Sequence, residues 1–150
     1  MICHHRSIPQ TKYSQHIEIA IYGDVHFEAP ECDMTAFKTA LREDAARGRY
    51  LLFPGDLFDL ILPNDLKRFS PRALQWILTD PHTGRSRDTR SRKDAIVDML
   101  VEDAYKLLKS HASRIIGIGL GNHERAYLKR GYSDPTQSLI DKLNAHTTPD

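Results

Sequence analysis

Residues 50–59 read Tyr-Leu-Leu-Phe-Pro-Gly-Asp-Leu-Phe-Asp, an apolar run that Pro54 and Gly55 close before two aspartates. A short apolar run ended by these two breakers predicts a strand followed by a turn. Two other runs have the same form, residues 17–22 (Ile-Glu-Ile-Ala-Ile-Tyr) and residues 115–120 (Ile-Ile-Gly-Ile-Gly-Leu), and a glycine follows each of them. The sequence therefore predicts three strands, each followed at once by a glycine turn.

Helical patterns fill the intervals between these strands. Residues that favour helix starts precede apolar residues at three- or four-residue spacing at four places, namely Asp33, Ser70-Pro71, Ser91 and Asp134-Pro135. Gly48 ends the first of these patterns, and the polar residues 81–92 read as a loop before the third. Strands separated by helices imply βαβ units, so the predicted fold class is α/β with about three mainly parallel strands.

Composition indicates a soluble globular protein. The chain has 150 residues, 40% apolar and 27% charged, which suits a single domain. We interpret residues 1–15 as a loosely ordered N-terminal arm and 16–150 as the domain. The net charge of +1 does not require a nucleic-acid partner, and the basic stretch 85–93 reads more simply as a solvated loop than as a phosphate-binding arm. Two cysteines are too few for a disulfide scaffold, and neither a membrane span nor a secretory signal is visible, so we expect a cytoplasmic protein with no membrane partner.

Side chains that can bind metals follow all three predicted strands. They are Asp24 and His26, then Asp56 and Asp59, then Asn122 and His123. Because the carboxyl ends of parallel strands meet at one edge of a sheet, we expect these side chains to converge. Carboxylate, imidazole and amide donors suit borderline divalent ions such as Mn²⁺, Fe²⁺ or Zn²⁺. The absence of thiolates from the set argues against a structural zinc site.

Three motifs, taken together, resemble the first three signatures of the calcineurin-like metallophosphoesterases. They are Asp24-x-His26, Gly55-Asp56-Leu57-Phe58-Asp59 and Gly121-Asn122-His123-Glu124, and the resemblance spans about residues 17–144. It implies a β-sandwich flanked by helices and a two-metal centre at the strand ends. It also implies hydrolysis of phosphomonoesters or phosphodiesters by a metal-activated water. The Gly-Asp-Leu-Phe segment is similar to the DNA-repair nuclease branch, so nucleotides or nucleic acid are possible substrates.

The resemblance assigns metal ligands residue by residue. Asp24 and His26 would bind the first metal, Asp56 would bridge both metals, and Asn122 would bind the second. Mn²⁺ is the favoured ion, with Fe²⁺ and Zn²⁺ as alternatives.

The resemblance also assigns catalytic roles. His123 would contact phosphate or protonate the leaving oxygen, and Asp59 would orient His123. Asn122, His123 and Arg125 are the candidates for binding the substrate. We interpret Glu124 as a structural hydrogen-bonding residue rather than a catalytic one.

The family pattern continues with a lone histidine and a Gly-His-x-His motif, neither of which is identifiable here. His146 is the only histidine after His123, and no predicted strand precedes it. The first metal would therefore lack one ligand, and the second, held by Asp56 and Asn122 alone, should be weak or absent. Two functions stay open. One is a metal-dependent phosphoesterase, and the other is a truncated, non-catalytic module that needs an oligomer, a partner chain or a missing C-terminal half.

Overall fold

The computed structural model describes residues 16–27, 29–61 and 93–147. In chain order the elements are β1 (Ile19–Ile21), α1 (Met34–Ala46), β2 (Tyr50–Phe53), α2 (Lys93–Leu108), a 3-10 helix (Lys109–Arg114), β3 (Ile115–Ile118), α3 (Asn122–Leu128) and α4 (Pro135–Thr147). The predicted arm (residues 1–15), the helix start at Ser70-Pro71 and the basic loop up to residue 92 lie outside the described residues. The mixed α/β class is confirmed.

The three strands form one open parallel sheet in the order β1-β2-β3. Both outer strands are shorter than the apolar runs predicted, although hydrogen bonding continues beyond their ends. The N–H of Tyr22 donates to the carbonyl of Leu52 at 2.9 Å, and that of Gly119 donates to Phe53 at 2.7 Å. The predicted parallel arrangement is therefore confirmed. Within the described ranges this is a single sheet, and the sandwich that the resemblance implies is not seen there.

Helix α1 begins and ends as the sequence predicts. The Asp33 carboxylate accepts hydrogen bonds from two backbone N–H groups of the first turn, at 2.9 and 3.1 Å. After the helix, Gly48 adopts φ +78°, a left-handed conformation that glycine tolerates at a helix end. Phe37 and Leu41 are buried, and the Phe37 ring meets Tyr22 of the sheet edge to face, with centroids 5.6 Å apart. This contact packs α1 on the face of the sheet that carries Tyr22.

One hydrophobic cluster joins the helices to the inner face of the sheet. Leu51 and Phe53 of β2 are fully buried, and α2 packs on α4 beside them. The other face is more open, since Ile19 and Ile21 of β1 are 46% and 66% exposed. No helix of the described part of the chain is long and apolar enough to span a membrane.

Two short helices were not predicted. The 3-10 helix reads Lys-Ser-His-Ala-Ser-Arg and buries only Ala112, so it has no apolar periodicity to detect. Helix α3 is seven residues long and begins inside the third motif, directly after Gly121. Its third residue, Glu124, also bonds to the backbone of the loop after β2, a contact that local sequence cannot reveal.

A polar network ties the β1 edge to α1. The Tyr22 hydroxyl donates to Asp44, and Arg49 donates to Asp44 at 2.8 Å and to Glu18 at 2.6 Å. The hydrogen bond from Tyr22, followed by that from Arg49, lowers the pKa of Asp44 below its ordinary value of 3.8. Burial and the neighbouring Asp44 raise the pKa of Tyr22. The ionised form of Asp44 is therefore the one that stabilises the fold.

We expect Asp44→Asn to lower the free energy of unfolding at pH 7, because amide oxygen is a weaker acceptor than carboxylate for Tyr22 and Arg49. A carboxylate with a lowered pKa contributes stability above pH 3.8, and this contribution is lost as the pH falls through its folded-state value. The difference in the free energy of unfolding between wild type and Asp44→Asn should therefore become smaller in acid. Urea unfolding at pH 7 and pH 3 measures it. The exposed Asp98→Asn is the control, and an Asp44→Asn deficit that stays constant with pH would contradict the ionic explanation.

Candidate metal centre

The site lies in the loops that follow the three strands. Asp24, His26 and Asp56 all have left-handed backbones, with φ of +51°, +44° and +51°. Residues other than glycine rarely adopt this conformation, and it concentrates at functional sites where surrounding contacts enforce it. Here the enforcing contacts run between the first two loops. The N–H of His26 donates to the carbonyl of Asp56 at 3.0 Å, and that of Asp24 donates to Gly55 at 3.4 Å.

The first cluster consists of Asp24, His26 and Asp56. One potential ligand atom from each lies within 4.8 Å of the others. Asp24 is exposed, His26 is half-buried and Asp56 is only 7% exposed, so the cluster opens to solvent on the Asp24 side. Two carboxylates and one imidazole can hold a borderline divalent cation.

The second cluster shares His26 with the first and adds Asp59 and His123, again within 4.8 Å. Asp59 Oδ1 lies 3.1 Å from Nδ1 of both histidines, and the two rings meet edge to face at 4.7 Å. Despite that distance, the orientation at His26 is not that of a hydrogen bond, and its buried Nδ1 has no hydrogen-bond partner among the described residues. A buried nitrogen without such a partner fits a ligand of a cation, because leaving it unpaired is otherwise costly.

His123 is held at three points. Its backbone N–H donates to Asp56 Oδ1 at 2.9 Å, and its Nδ1 lies 2.6 Å from the backbone carbonyl oxygen of Asp59 as well as near Oδ1. A carbonyl oxygen only accepts, so Nδ1 carries the proton in this contact and Nε2 is the ring atom left for other partners. The contact with the Asp59 carbonyl was missed by sequence analysis, since a backbone atom has no residue-type signal.

Glu124 is completely buried beneath the site. Its carboxylate accepts hydrogen bonds from the backbone N–H groups of Asp56 (3.1 Å), Phe58 (2.9 Å) and Gly121 (2.9 Å). The bond to Gly121 is one of the two bonds of a capping box, in which the acidic third residue of a helix accepts from the backbone N–H of the residue before the helix. This agrees with the interpretation of Glu124 as a structural residue.

The remaining predicted residues lie on helices α3 and α4. Asn122 is the first residue of α3 and is exposed, and Arg125 is exposed on the same helix. His146 lies in α4 against the ring of Tyr105, with centroids 6.1 Å apart, and is in neither cluster. Of the predicted aspartates and histidines, the structure brings together Asp24, His26, Asp56, Asp59 and His123.

Comparison of the chain with protein-family models, with curated proteins and with solved structures gives no match. What the chain itself shows is a set of histidines and aspartates at one edge of a parallel sheet, positioned to hold a metal ion.

Proposed function

We propose that this protein is a metal-dependent phosphoesterase of the calcineurin-like type. One observation carries the proposal. Asp24, His26 and Asp56 converge from two loops, with one potential ligand atom of each within 4.8 Å of the others. The order of the three motifs supports it, and the parallel sheet would form one layer of the family's β-sandwich.

Asp24, His26 and Asp56 would hold the first divalent ion, for which Mn²⁺ is the favoured candidate. Asp56 with Asn122 would hold a second ion weakly. When bound, such an ion would offset negative charge on the phosphate oxygens and would lower the pKa of water, so that hydroxide is available as the nucleophile near neutral pH. The exposed Asp24 side of the cluster leaves an approach for a phosphoester substrate.

His123 would act as the acid for the leaving oxygen. Its Nδ1 is fixed by Asp59, so Nε2 of the protonated ring can donate toward the substrate. Asp59 acts through His123 and is a positioning residue. Asn122 and Arg125, exposed on α3, are the proposed contacts for the substrate phosphate.

The test is metal-restored turnover. Protein stripped with a chelator should not hydrolyse bis(4-nitrophenyl) phosphate, and Mn²⁺ should restore hydrolysis. The matched variant His123→Asn should bind Mn²⁺ normally and lose turnover by about 10²- to 10⁴-fold, the usual contribution of a general acid. A phosphomonoester run in parallel separates phosphodiesterase from phosphatase activity.

The proposal would be overturned if wild type and His123→Asn hydrolysed the substrate at the same rate. It would also be overturned if the chelator left hydrolysis by wild type unchanged. Mn²⁺ binding by a folded wild-type chain that turns over neither substrate would instead favour the non-catalytic module.

A further inference from the structure

We infer that Glu124 is a positioning residue, which sets the geometry of the first, metal-binding cluster and of the second cluster without touching an ion. This inference rests on the proposed metal site. Glu124 belongs to neither cluster, yet its carboxylate joins the loop after β2 to the loop after β3. Glu124 is 68 positions from Asp56 in the chain and 66 positions from Phe58.

The carboxylate is matched to its three partners. A buried charge is costly unless hydrogen bonds compensate it, and here three backbone donors point at the two oxygens. Oε2 accepts from Asp56 and Gly121, while Oε1 accepts from Phe58. A carboxylate accepts at both oxygens, whereas a glutamine would place an NH₂ group against at least one N–H donor. The site therefore requires an acidic residue and not merely a polar one.

The three bonds act on the ligands through the backbone. Glu124 holds the N–H of Asp56, whose left-handed backbone (φ +51°) needs such support. It also holds the N–H of Phe58, and the next residue is Asp59, whose Oδ1 lies 3.1 Å from Nδ1 of both histidines in the second cluster. One buried side chain thus places one residue of each cluster.

The bond to Gly121 completes the arrangement from the other side. It sets the start of α3, so that the N–H of His123 reaches Asp56 Oδ1 at 2.9 Å. That bond leaves Oδ2 of Asp56 and a second lone pair on Oδ1 for a cation. Loss of Glu124 would therefore misplace the ligands even where the fold survives.

The experiment measures Mn²⁺ affinity of the full chain by calorimetry, together with the thermal midpoint. Glu124→Gln should raise the Kd for Mn²⁺ by about 10- to 100-fold, the range found when residues that support metal ligands are changed. The control is Leu139→Ala, a fully buried core position in α4. It should lower the midpoint while leaving the Kd near that of wild type, measured at a temperature where each variant is folded.

Glu124→Asp serves as the second variant, because it keeps the charge on a shorter side chain that cannot reach all three donors. It should fold and bind Mn²⁺ with a Kd between those of wild type and Glu124→Gln. If Glu124→Gln does not fold, the Kd of Glu124→Asp tests the positioning role. A folded Glu124→Gln or Glu124→Asp protein with wild-type affinity would overturn the positioning role alone. Failure of the wild-type chain to bind Mn²⁺ would overturn the metal site itself.

Discussion

Replacing Asp56 by asparagine should abolish Mn²⁺-dependent hydrolysis and weaken Mn²⁺ binding by more than the about 10- to 100-fold typical of residues that only support ligands. Asp56 is the buried carboxylate of the first cluster, and the loops after β1 and β3 both contact it. Asparagine removes one of the two negative charges that the first cluster offers to a divalent cation. It retains an oxygen that can accept from the N–H of His123.

Asparagine is also suited to the backbone at this position. Asp56 has φ +51°, and asparagine is among the residues enriched in that region, so the variant should fold. The matched control is Asp134→Asn at the start of α4. There Asp134 Oδ1 accepts from the N–H of Gln137 at 2.9 Å, and asparagine caps helices about as well as aspartate. Calorimetry and turnover of both variants measure the effect. Retention of Mn²⁺-dependent turnover by Asp56→Asn would contradict the assignment of Asp56 as a ligand.

Gly121→Ala should destabilise the fold by about 1–3 kcal/mol or more, the range for overpacking a filled site. A methyl group on Gly121 would lie 2.2 Å from Asp56 Oδ1 and 2.3 Å from the Asp56 backbone nitrogen. Real carbon atoms do not approach so closely, and the second of these atoms belongs to the backbone. The loops after β2 and β3 must therefore separate, which would also move Asp56 away from the first cluster.

Gly23→Ala is the matched control for this effect. A methyl group there would meet only Pro54 Cγ, at an ordinary contact distance of 3.6 Å. Urea unfolding should show a large loss of stability for Gly121→Ala and little change for Gly23→Ala. A Gly121→Ala protein as stable as wild type, with unchanged Mn²⁺ affinity, would show that the two loops are not tightly packed.

The sequence by itself determined the layout of the fold and the neighbourhood of the site. Apolar runs closed by glycine or Pro-Gly predict all three strands, and the side chains of Asp33 and Asp134 start α1 and α4 as expected. These signals are local, because capping and strand formation depend on a few adjacent residues. The convergence of the motifs also followed, since parallel strands end at a common edge.

Only the tertiary structure decided how the ligands are held. The left-handed backbone of Asp24, His26 and Asp56 depends on hydrogen bonds between loops, and the proton position on His123 depends on the carbonyl of Asp59. Two of the three bonds of Glu124 likewise cross from α3 to the loop after β2. These two bonds and the contact of His123 with the Asp59 carbonyl join residues more than sixty positions apart in the chain. These contacts form only when the loops pack against each other. Residue types and their spacing indicated Asp24-x-His26 and Gly121-Asn122-His123-Glu124 as motifs, but they could not specify these contacts.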